Sequence, residues 1–478
     1  MRVLSNIQPE KVFYYFEEIC NIPHGSGNLL QISNYLVDFA KEHNLKYRKD
    51  KKQNVVIFKD GTKGYENSEA VILQGHMDMV CEKAPGCTKD MQKEGLDLCT
   101  ENGTIFAKGT TLGGDDGIAV AYILAILSSN DIEHPPIEAI FTTDEETGMF
   151  GATFLDTSDL KAKTLLNIDS EVEGVFTVGC AGGVEAKCTL PIKREDYNGT
   201  PLKITVSGLL GGHSGVEIDK GRANANMVLS RILNKISLEQ DIRISELFGG
   251  LKVNAIPNNS TAVILCKNAE KINTICEELD RALSSEYDKT DNGITISVLP
   301  CEYEKPFDEK STQAVISLLS ALPNGIIDMS FDIDGLVETS LNLGIMSTDE
   351  NTFVTKYNIR SNVESKKNML VQRISAIMKY FDGKFETYGD YPSWEFSENS
   401  KLLNIMSDVY SEQYGNAPKI ETIHAGLECG IFAGKIKGLD CVSIGPDITD
   451  IHTYNEKLHI KSVGRTWELI LETLKRLK

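Results

Sequence analysis

The chain is poor in basic residues and lacks the long apolar segments of a membrane protein. Its 478 residues include 49 Lys and Arg against 69 Asp and Glu, a formal net charge of −20 at pH 7. Nucleic-acid binding normally requires a basic surface, so this charge argues against it. No apolar run approaches the roughly 20 residues that span a bilayer, and residues 1–6 lack the apolar core of a signal peptide. We therefore expect a cytoplasmic protein with neither nucleic-acid nor membrane partners.

The cysteines lack the tight pairing of a disulfide framework. There are eleven of them, and the spacing of Cys81 and Cys87 is not that of a zinc knuckle. We expect free, mostly buried thiols. The hydrophobic fraction of 41% and the charged fraction of 25% are those of an ordinary globular protein. A chain of 478 residues exceeds what one core normally supports, so two domains are expected.

A histidine and an aspartate follow the first strongly apolar, strand-like run. The segment QGHMDMV at residues 74–80 closes the run at 70–73. Residues i and i+2 of an extended chain share one face, so His76 could bind a metal ion while Asp78 orients its ring from behind. Taken alone, the motif fits a strand end with two solvated polar side chains equally well.

Further acids and a second histidine follow other apolar runs. Asp115 precedes the helix-like run 118–127 and could bind a metal ion or simply cap the helix. The remaining candidates follow three more strand-like runs: acids 144–146 follow 137–141, Asp169 follows 164–168, and His452 follows 441–444. In open α/β sheets the ligand site lies outside the carboxyl ends of the strands. The sequence therefore predicts that these side chains meet at one edge of a sheet.

These residue types match the needs of a dinuclear hydrolase. Such a centre requires a bridging carboxylate, a histidine and a carboxylate for each ion, and a separate base for the water. The five ligand candidates are His76, Asp115, Glu146, Asp169 and His452. Glu145 remains available as the base, since neighbouring residues at a strand end point in different directions. We predict that two divalent cations bind here. Zn²⁺ is the preferred ion, and the same donors also accept Co²⁺ or Mn²⁺.

From about residue 10 to the C-terminus, the chain resembles the di-zinc metallopeptidase family of aminoacylases and carnosinases. The motifs that carry the resemblance are GHMDMV, GGDDGIA, TTDEETGMFGA, NIDSE, GGHSG, NAIP and HAGLECG, together with His452. The resemblance implies the following roles: Asp115 bridges the ions, His76 and Asp169 complete one site, Glu146 and His452 complete the other, Asp78 supports His76, and Glu145 is the general acid/base.

The order of elements predicts a discontinuous α/β catalytic domain with an insertion. Helices at 9–20 and 28–43 are followed by alternating strands and helices through Asp169, which indicates a mixed central sheet flanked by helices. The chain then carries none of the proposed ligands until His452. We predict a first catalytic part at 1–184, a lid domain at 185–389, and a second catalytic part at 390–478.

The predicted α+β lid contains two similar halves. Each half has a strand, a helix and two returning strands: 202–207, 221–235, around 251–253 and 261–266 in the first, and 293–298, 311–322, 340–345 and 351–359 in the second. Chance remains an alternative, because this order is common. The resemblance also implies a lid of two related halves. Such a lid could supply internally the contacts that smaller relatives make by dimerising, so both a monomer and a homodimer remain open.

The resemblance also assigns residues to the substrate. His213 lies in a glycine-rich loop and would, by spacing alone, be an exposed turn residue; the family comparison makes it a lid donor to the oxyanion. Asn254 and Arg360 would bind the substrate carboxylate, although Arg360 could instead face solvent or form a salt bridge. In HAGLECG, His424 and Glu428 are further candidates. Glu428 would bind the free amine or brace its loop.

The implied activity is hydrolysis of unblocked dipeptides, including Xaa-His, by metal-activated water with Glu145 as acid/base. Two alternatives stay open. An N-acyl amino acid deacylase or a tripeptidase would share the metal motif, and a metal-binding protein without catalysis would share the ligands.

Overall fold

The computed structural model describes residues 2–478, and the chain forms two compact units. Unit 1 comprises residues 2–180, 396–422 and 427–478, and unit 2 comprises 181–395 and 423–426. The return of residues 423–426 to unit 2 was not anticipated from the sequence.

The first part of unit 1 contains the following elements: α1 (Glu10–Cys20), α2 (Leu30–Glu42), β1 (Lys46–Lys49), β2 (Val55–Lys59), β3 (Val71–His76), β4 (Leu98–Glu101), β5 (Thr104–Ala107), α3 (Gly114–Leu127), β6 (Ile137–Thr142), α4 (Phe150–Phe154), β7 (Thr164–Asn167) and β8 (Val175–Cys180).

Unit 2 follows with these elements: β9 (Gly182–Pro191), β10 (Thr200–Ser207), β11 (Gly212–His213), a 3₁₀ turn (Ile218–Lys220), α5 (Ala225–Ser237), β12 (Ile242–Gly249), β13 (Ala255–Ile256), β14 (Ser260–Cys266), α6 (Ala269–Glu286), β15 (Thr295–Pro300), α7 (Glu309–Ala321), β16 (Gly325–Met329), β17 (Val337–Thr348), β18 (Thr352–Ser361), α8 (Glu364–Tyr380) and β19 (Lys384–Tyr391).

The chain ends with these elements, which belong to unit 1 except where β20 reaches Ile423: α9 (Lys401–Tyr414), β20 (Lys419–Ile423), α10 (Glu428–Lys435), β21 (Asp440–Ser443), β22 (Ile448–Thr449), β23 (Lys457–His459) and α11 (Ile460–Arg476).

The main sheet of unit 1 has a parallel centre. Within the described residues its order is β1-β2-β6-β3-β7-β21-β8-β20, and β6, β3, β7 and β21 run parallel. All six residues of β3 are buried, as expected for a parallel strand covered on both faces. Helix α3 is apolar on all sides and buried throughout residues 117–127, so it lies in the core against α1 and β3.

Unit 2 confirms two related halves and corrects their composition. Each half has the order β-α-β-β-α-β, and the sheet order β15-β10-β14-β12 in one half is repeated as β19-β9-β18-β17 in the other. The two halves join where β12 pairs with β17. The first strand of the second half is therefore β9, not β15. The whole first half is inserted between β9 and α7.

The predicted fold class is confirmed, with one local error. Residues 251–253, expected to be a strand, form a turn, and the strand in that region is β12. The cysteines within residues 2–478 form no disulfide bonds with one another, as expected. None of the helices within residues 2–478 is both long and apolar enough to cross a membrane.

Candidate metal centre

Strand register brings the predicted ligands of unit 1 to one edge of the sheet. In the parallel pairs, His76 lies opposite Thr142, and Gln74 lies opposite Asn167. Asp169 therefore leaves β7 at the level where His76 ends β3, and the acids at 144–146 follow directly after β6. This is the edge that the apolar runs and their polar ends predicted.

Asp115 lies between two groups of side chains. Its Oδ1 is 3.1 Å from His76 Nε2, and its Oδ2 is 3.1 Å from His452 Nε2. His76 Nε2 is also 3.4 Å from Asp169 Oδ1, while His452 Nε2 is 2.9 Å from Glu146 Oε1. The two oxygens of one carboxylate thus face the two predicted halves of a dinuclear centre.

The ligand atoms are close enough to share metal ions. Three groups have their potential ligand atoms within 4.8 Å of one another: Asp115 with Glu146 and His452, His76 with Asp116 and Asp169, and His76 with Glu145 and Glu146. Imidazole nitrogen and carboxylate oxygen suit zinc, cobalt and manganese. The donor set therefore fits divalent cations of this kind.

Asp78 contacts both His76 and the acidic turn. The ring Nδ1 of His76 is 3.0 Å from the backbone carbonyl of Asp78 but 3.6 Å from its carboxylate, so the hydrogen bond goes to the carbonyl. A proton on Nδ1 leaves Nε2 free for a metal ion. The Asp78 carboxylate instead accepts from Ser26 Oγ at 2.8 Å and from the Glu145 N–H at 3.1 Å. Asp78 therefore holds the histidine through its backbone carbonyl and the acid that follows β6 through its carboxylate.

Asp116, which was not among the predicted ligands, also belongs to the cluster. It is 1% exposed, and its Oδ2 accepts the backbone N–H of His76 at 3.1 Å. Burial raises the pKa of Asp116 well above its ordinary value, and the nearby Asp169 adds to this. In the sequence, only the second aspartate of GGDDGIA could have indicated this residue. The direction of the Asp116 side chain depends on backbone angles at residues 115 and 116 that are not helical.

Several groups of the cluster bind protons more strongly than usual in the protein alone. Burial raises the pKa of Asp169 to about 6, although His76 opposes the shift. The carboxylates of Asp115 and Glu146, which accept hydrogen bonds from the His452 ring, raise the pKa of His452 to about 10. Burial would lower the pKa of His76, but Asp169 and Asp115 raise it well above its ordinary value. A cluster that binds protons this strongly is suited to cations.

Glu145 has the environment of a general acid/base. Burial raises its pKa well above the ordinary value, opposed by His76 and reinforced by Asp169 and Glu428. A raised carboxyl pKa moves a glutamate towards the operating pH of a proton-transfer group. Its position in a ligand group with His76 and Glu146 brings it close to the proposed ions.

Glu428 is completely buried beneath the strand ends. Its Oε2 accepts from Gln74 Nε2 and from Thr142 Oγ1, both at 2.6 Å. Gln74 Oε1 in turn accepts from Asn167 Nδ2 at 2.6 Å. Glu428 thus connects β3, β6 and β7 shortly before each reaches the centre. Its Oε1 has no hydrogen-bond partner among the described residues, and burial raises the pKa of Glu428 to about 8.

The other predicted substrate residues lie in unit 2. His213 pairs with Ala255, the neighbour of Asn254, in the short β11–β13 ladder. The Nδ1 of His213 accepts the backbone N–H groups of Gly215 at 3.1 Å and Val216 at 3.2 Å. A neutral ring held in this way carries its proton on Nε2, which makes that nitrogen a donor.

Arg360 and His424 are buried in the same unit. Arg360 Nη1 donates to Tyr391 Oη at 2.9 Å. His424 lies between Ser340 Oγ, 2.7 Å from Nε2, and Asn362 Oδ1, 3.2 Å from Nδ1. Burial lowers the pKa of His424 to about 3, and the positive charge of Arg360 adds to the shift. His424 is therefore a neutral ring near neutral pH.

The fold is that of a metallopeptidase family. The family model for peptidase family M20/M25/M40 matches residues 72–476, and the chain belongs to this family. The resemblance predicted from the motifs is thereby confirmed.

Individual relatives match over the full length. The chain is 36% identical to the cytosol non-specific dipeptidase of Escherichia coli K12 over 482 aligned positions, covering 100% of this chain and 99% of the relative. The crystal structure of aminoacylhistidine dipeptidase from Vibrio alginolyticus matches with a TM-score of 0.93 and 36% identity, covering 99% of this chain and 98% of that one. Aminopeptidase PepT from Bacillus cereus shares the fold, with a TM-score of 0.58, 17% identity, and coverage of 98% and 99%.

Proposed function

We propose that this chain is a cytoplasmic metallo-dipeptidase that hydrolyses unblocked dipeptides, including those with C-terminal histidine. The observation that carries the proposal is the Asp115 carboxylate between His76 and His452. The 36% identity to a dipeptidase over the full length of the chain supports a dipeptide as the substrate.

The proposed cofactor is a pair of divalent cations, with Zn²⁺ preferred. Asp115 would bridge them, His76 and Asp169 would complete one site, and Glu146 and His452 would complete the other. When bound, such ions lower the pKa of a water molecule and polarise a carbonyl group. The close approach of these carboxylates and imidazoles supports this assignment.

Glu145 would move the protons of the reaction. As a carboxylate it would accept a proton from the attacking water, and as a carboxylic acid it would donate that proton to the leaving amine. Its raised pKa favours the protonated form that the second step requires. Asp78 would keep Glu145 in place through the backbone N–H of that residue.

Residues of unit 2 would bind the substrate. The Nε2–H of His213 would donate to the oxyanion of the tetrahedral intermediate, where a single donor can contribute about 3–4 kcal/mol. Arg360 and Asn254 would bind the substrate carboxylate, since a guanidinium can contact both of its oxygens. His424 would serve as a neutral polar neighbour of Arg360, consistent with its lowered pKa.

The hydrogen bonds of Glu428 bear on which of its two predicted roles is preferred. Binding of the substrate amine stays a prediction. The complete burial of Glu428 and its bonds to Gln74 and Thr142 support the other role considered from the sequence, that of a brace. In this role it would keep three ligand-bearing strands in register.

A substrate panel tests the proposed function. Zinc-loaded protein would be assayed with Gly-His, β-Ala-His, Leu-Leu, an N-acetylated dipeptide and Gly-Gly-His, beside metal-stripped protein and protein reloaded with Co²⁺ or Mn²⁺. We expect cleavage of the free dipeptides only, lost on stripping and restored on reloading. Preference for the acetylated peptide would indicate a deacylase, and preference for Gly-Gly-His a tripeptidase. No cleavage by metal-loaded protein would favour a metal-binding protein.

A further inference from the structure

Glu456 is a buried carboxylate that has no role in the proposed mechanism. It is 3% exposed, and both of its oxygens accept backbone N–H groups of the segment that leads to Asp115. Its Oε2 is 2.7 Å from the nitrogen of Leu112 and 3.1 Å from that of Gly113, and its Oε1 is 2.8 Å from that of Gly114. The nitrogen of Asp115 lies 3.5 Å from the same Oε1. One side chain therefore accepts hydrogen bonds from consecutive backbone amides of one turn.

These amides would otherwise be unsatisfied in a buried place. The first N–H groups of a helix have no acceptor within it, and their partial positive charge favours a carboxylate. The Asp115 turn is also shaped to admit Glu456. A Cβ at Gly114 would lie 3.2 Å from Glu456 Oε1, and Gly113 has a φ of +67°, which suits glycine. The glycines and the glutamate are thus complementary.

The loop that carries Glu456, residues 452–456, also places a candidate metal ligand beside Asp115. His452, four residues before Glu456, contacts the Asp115 side chain at 3.1 Å. The His452 side chain is 45% exposed, and its backbone has a φ of +58°. Glu456, in contrast, is buried and bonded. The segment therefore touches Asp115 through a histidine at its exposed end and holds the Asp115 backbone at its buried end.

We propose that Glu456 is a positioning residue that fixes His452 and Asp115 relative to each other and so sets the affinity of the site they share with Glu146. This inference deepens the proposed function and rests on the dinuclear centre assumed there. Glu456 would act through backbone amides, at a distance from the ions. Loss of its carboxylate would leave the ligands present but misaligned, and changes to the residues behind metal ligands typically weaken binding by about 10- to 100-fold.

The test is Glu456→Gln beside Glu138→Gln. Glu138 is a matched control, because it is 5% exposed and its carboxylate accepts the backbone N–H groups of Lys161 at 2.8 Å and Ala162 at 3.2 Å. It lies near the start of β6, at the opposite end from the acids 144–146. In each variant a glutamine amide replaces one acceptor oxygen within a buried set of backbone bonds.

The readout is metal affinity measured without substrate. Zinc bound per chain would be followed against increasing chelator, and the visible spectrum of the Co²⁺-loaded protein would report the geometry of the sites. For Glu456→Gln we expect one of the two ions to be lost at about tenfold lower chelator and an altered cobalt spectrum. The control should keep both ions and the wild-type spectrum even if its thermal stability falls. Saturating Zn²⁺ should restore most of the turnover of Glu456→Gln.

Two results would overturn the proposal: wild-type zinc affinity in Glu456→Gln, or equal losses in both variants. If Glu456→Gln fails to fold, Gly114→Ala tests the same contact, since the added methyl group presses on Glu456 Oε1 while the carboxylate remains. Weaker binding of one ion in that variant supports the proposal, and unchanged binding opposes it. A wild-type protein that binds two ions but cleaves no dipeptide would contradict the proposed function and leave the role of Glu456 intact.

Discussion

The candidate centre has one half carried by strands and one half carried by a loop. His76 is the last residue of one strand and Asp169 follows its parallel neighbour, and their side chains are 1% and 8% exposed. His452 lies on a loop with left-handed backbone, and its side chain is 45% exposed. Sheet register positions the first half through many backbone bonds, whereas the second depends on a few contacts around its loop. Candidate ligands are thus positioned by strand register in one half and by loop contacts in the other, and we expect the two halves to respond differently to mutation.

The largest effect should come from Asp115→Ala, because this residue belongs to both halves. We expect loss of both ions and of nearly all dipeptide turnover, measured by metal analysis and by hydrolysis of Gly-His. Glu145→Gln is the matched variant in the same cluster. It should lower turnover by roughly 10²- to 10⁴-fold while both ions stay bound. Equal metal loss in the two variants would contradict the separate roles of ligand and acid/base.

Replacement of each histidine compares the halves directly. His76→Ala removes a buried ring from among carboxylates, so both metal binding and folding should suffer. We expect the free energy of unfolding, measured by urea titration of metal-free protein, to fall by about 1–3 kcal/mol. His452→Ala should weaken metal binding with a smaller change in stability, since its side chain is largely solvated. A larger loss of stability in His452→Ala would refute the contrast.

Gly75→Ala should damage the strand-carried half through packing. An added Cβ would lie 2.6 Å from Ala119 Cβ and 2.6 Å from the Asp116 Oδ2 that accepts the His76 amide. Such crowding typically costs about 1–3 kcal/mol, and we expect weaker zinc binding as well. Gly464→Ala in α11 is the control, because a Cβ there meets nothing within 4 Å. It should keep both ions and gain stability, by up to about 1 kcal/mol. Thermal unfolding and chelator titration measure both variants.

The smallest effect concerns protons released on metal binding. The pKa of His452 is raised to about 10, so this ring is protonated at pH 7 in the metal-free chain and an ion must displace the proton. A raised pKa means that lower pH favours the proton, so zinc affinity should fall as pH falls. Calorimetric titration in buffers of different ionisation enthalpy counts the protons. His452→Gln should release about one proton fewer per chain; an unchanged count would show that this ring is not displaced.

The strand-carried half could be predicted because its signals are local. Buried parallel strands read as apolar runs, and a ligand must follow each run at the carboxyl edge. His76 and Asp169 obey this rule, and so does Glu146, which belongs to the other half but follows β6. Asp116 was missed because its direction depends on an irregular turn, and Glu456 was missed because its partners, at residues 112–114, are far away in the sequence.

Unit 2 was harder to predict for a topological reason. The first half interrupts the second between β9 and α7, so sequence order assigned β15 to the wrong half. Strand β12 was missed because polar residues interrupt its apolar pattern. One of them, Arg243, is 6% exposed, and Glu309 lies 3.2 Å from its guanidinium. Partners of this kind become visible only once distant segments have been brought together.

The return of residues 423–426 to unit 2 has a consequence for how this protein can be divided. A gene fragment encoding residues 181–395 would omit His424, and the buried Ser340 and Asn362 would lose the ring between them. Unit 2 therefore cannot be excised, swapped or transplanted as one continuous stretch. A hybrid that exchanges it with a relative must bring two pieces from the same parent, and recombination that separates them would combine mismatched parts.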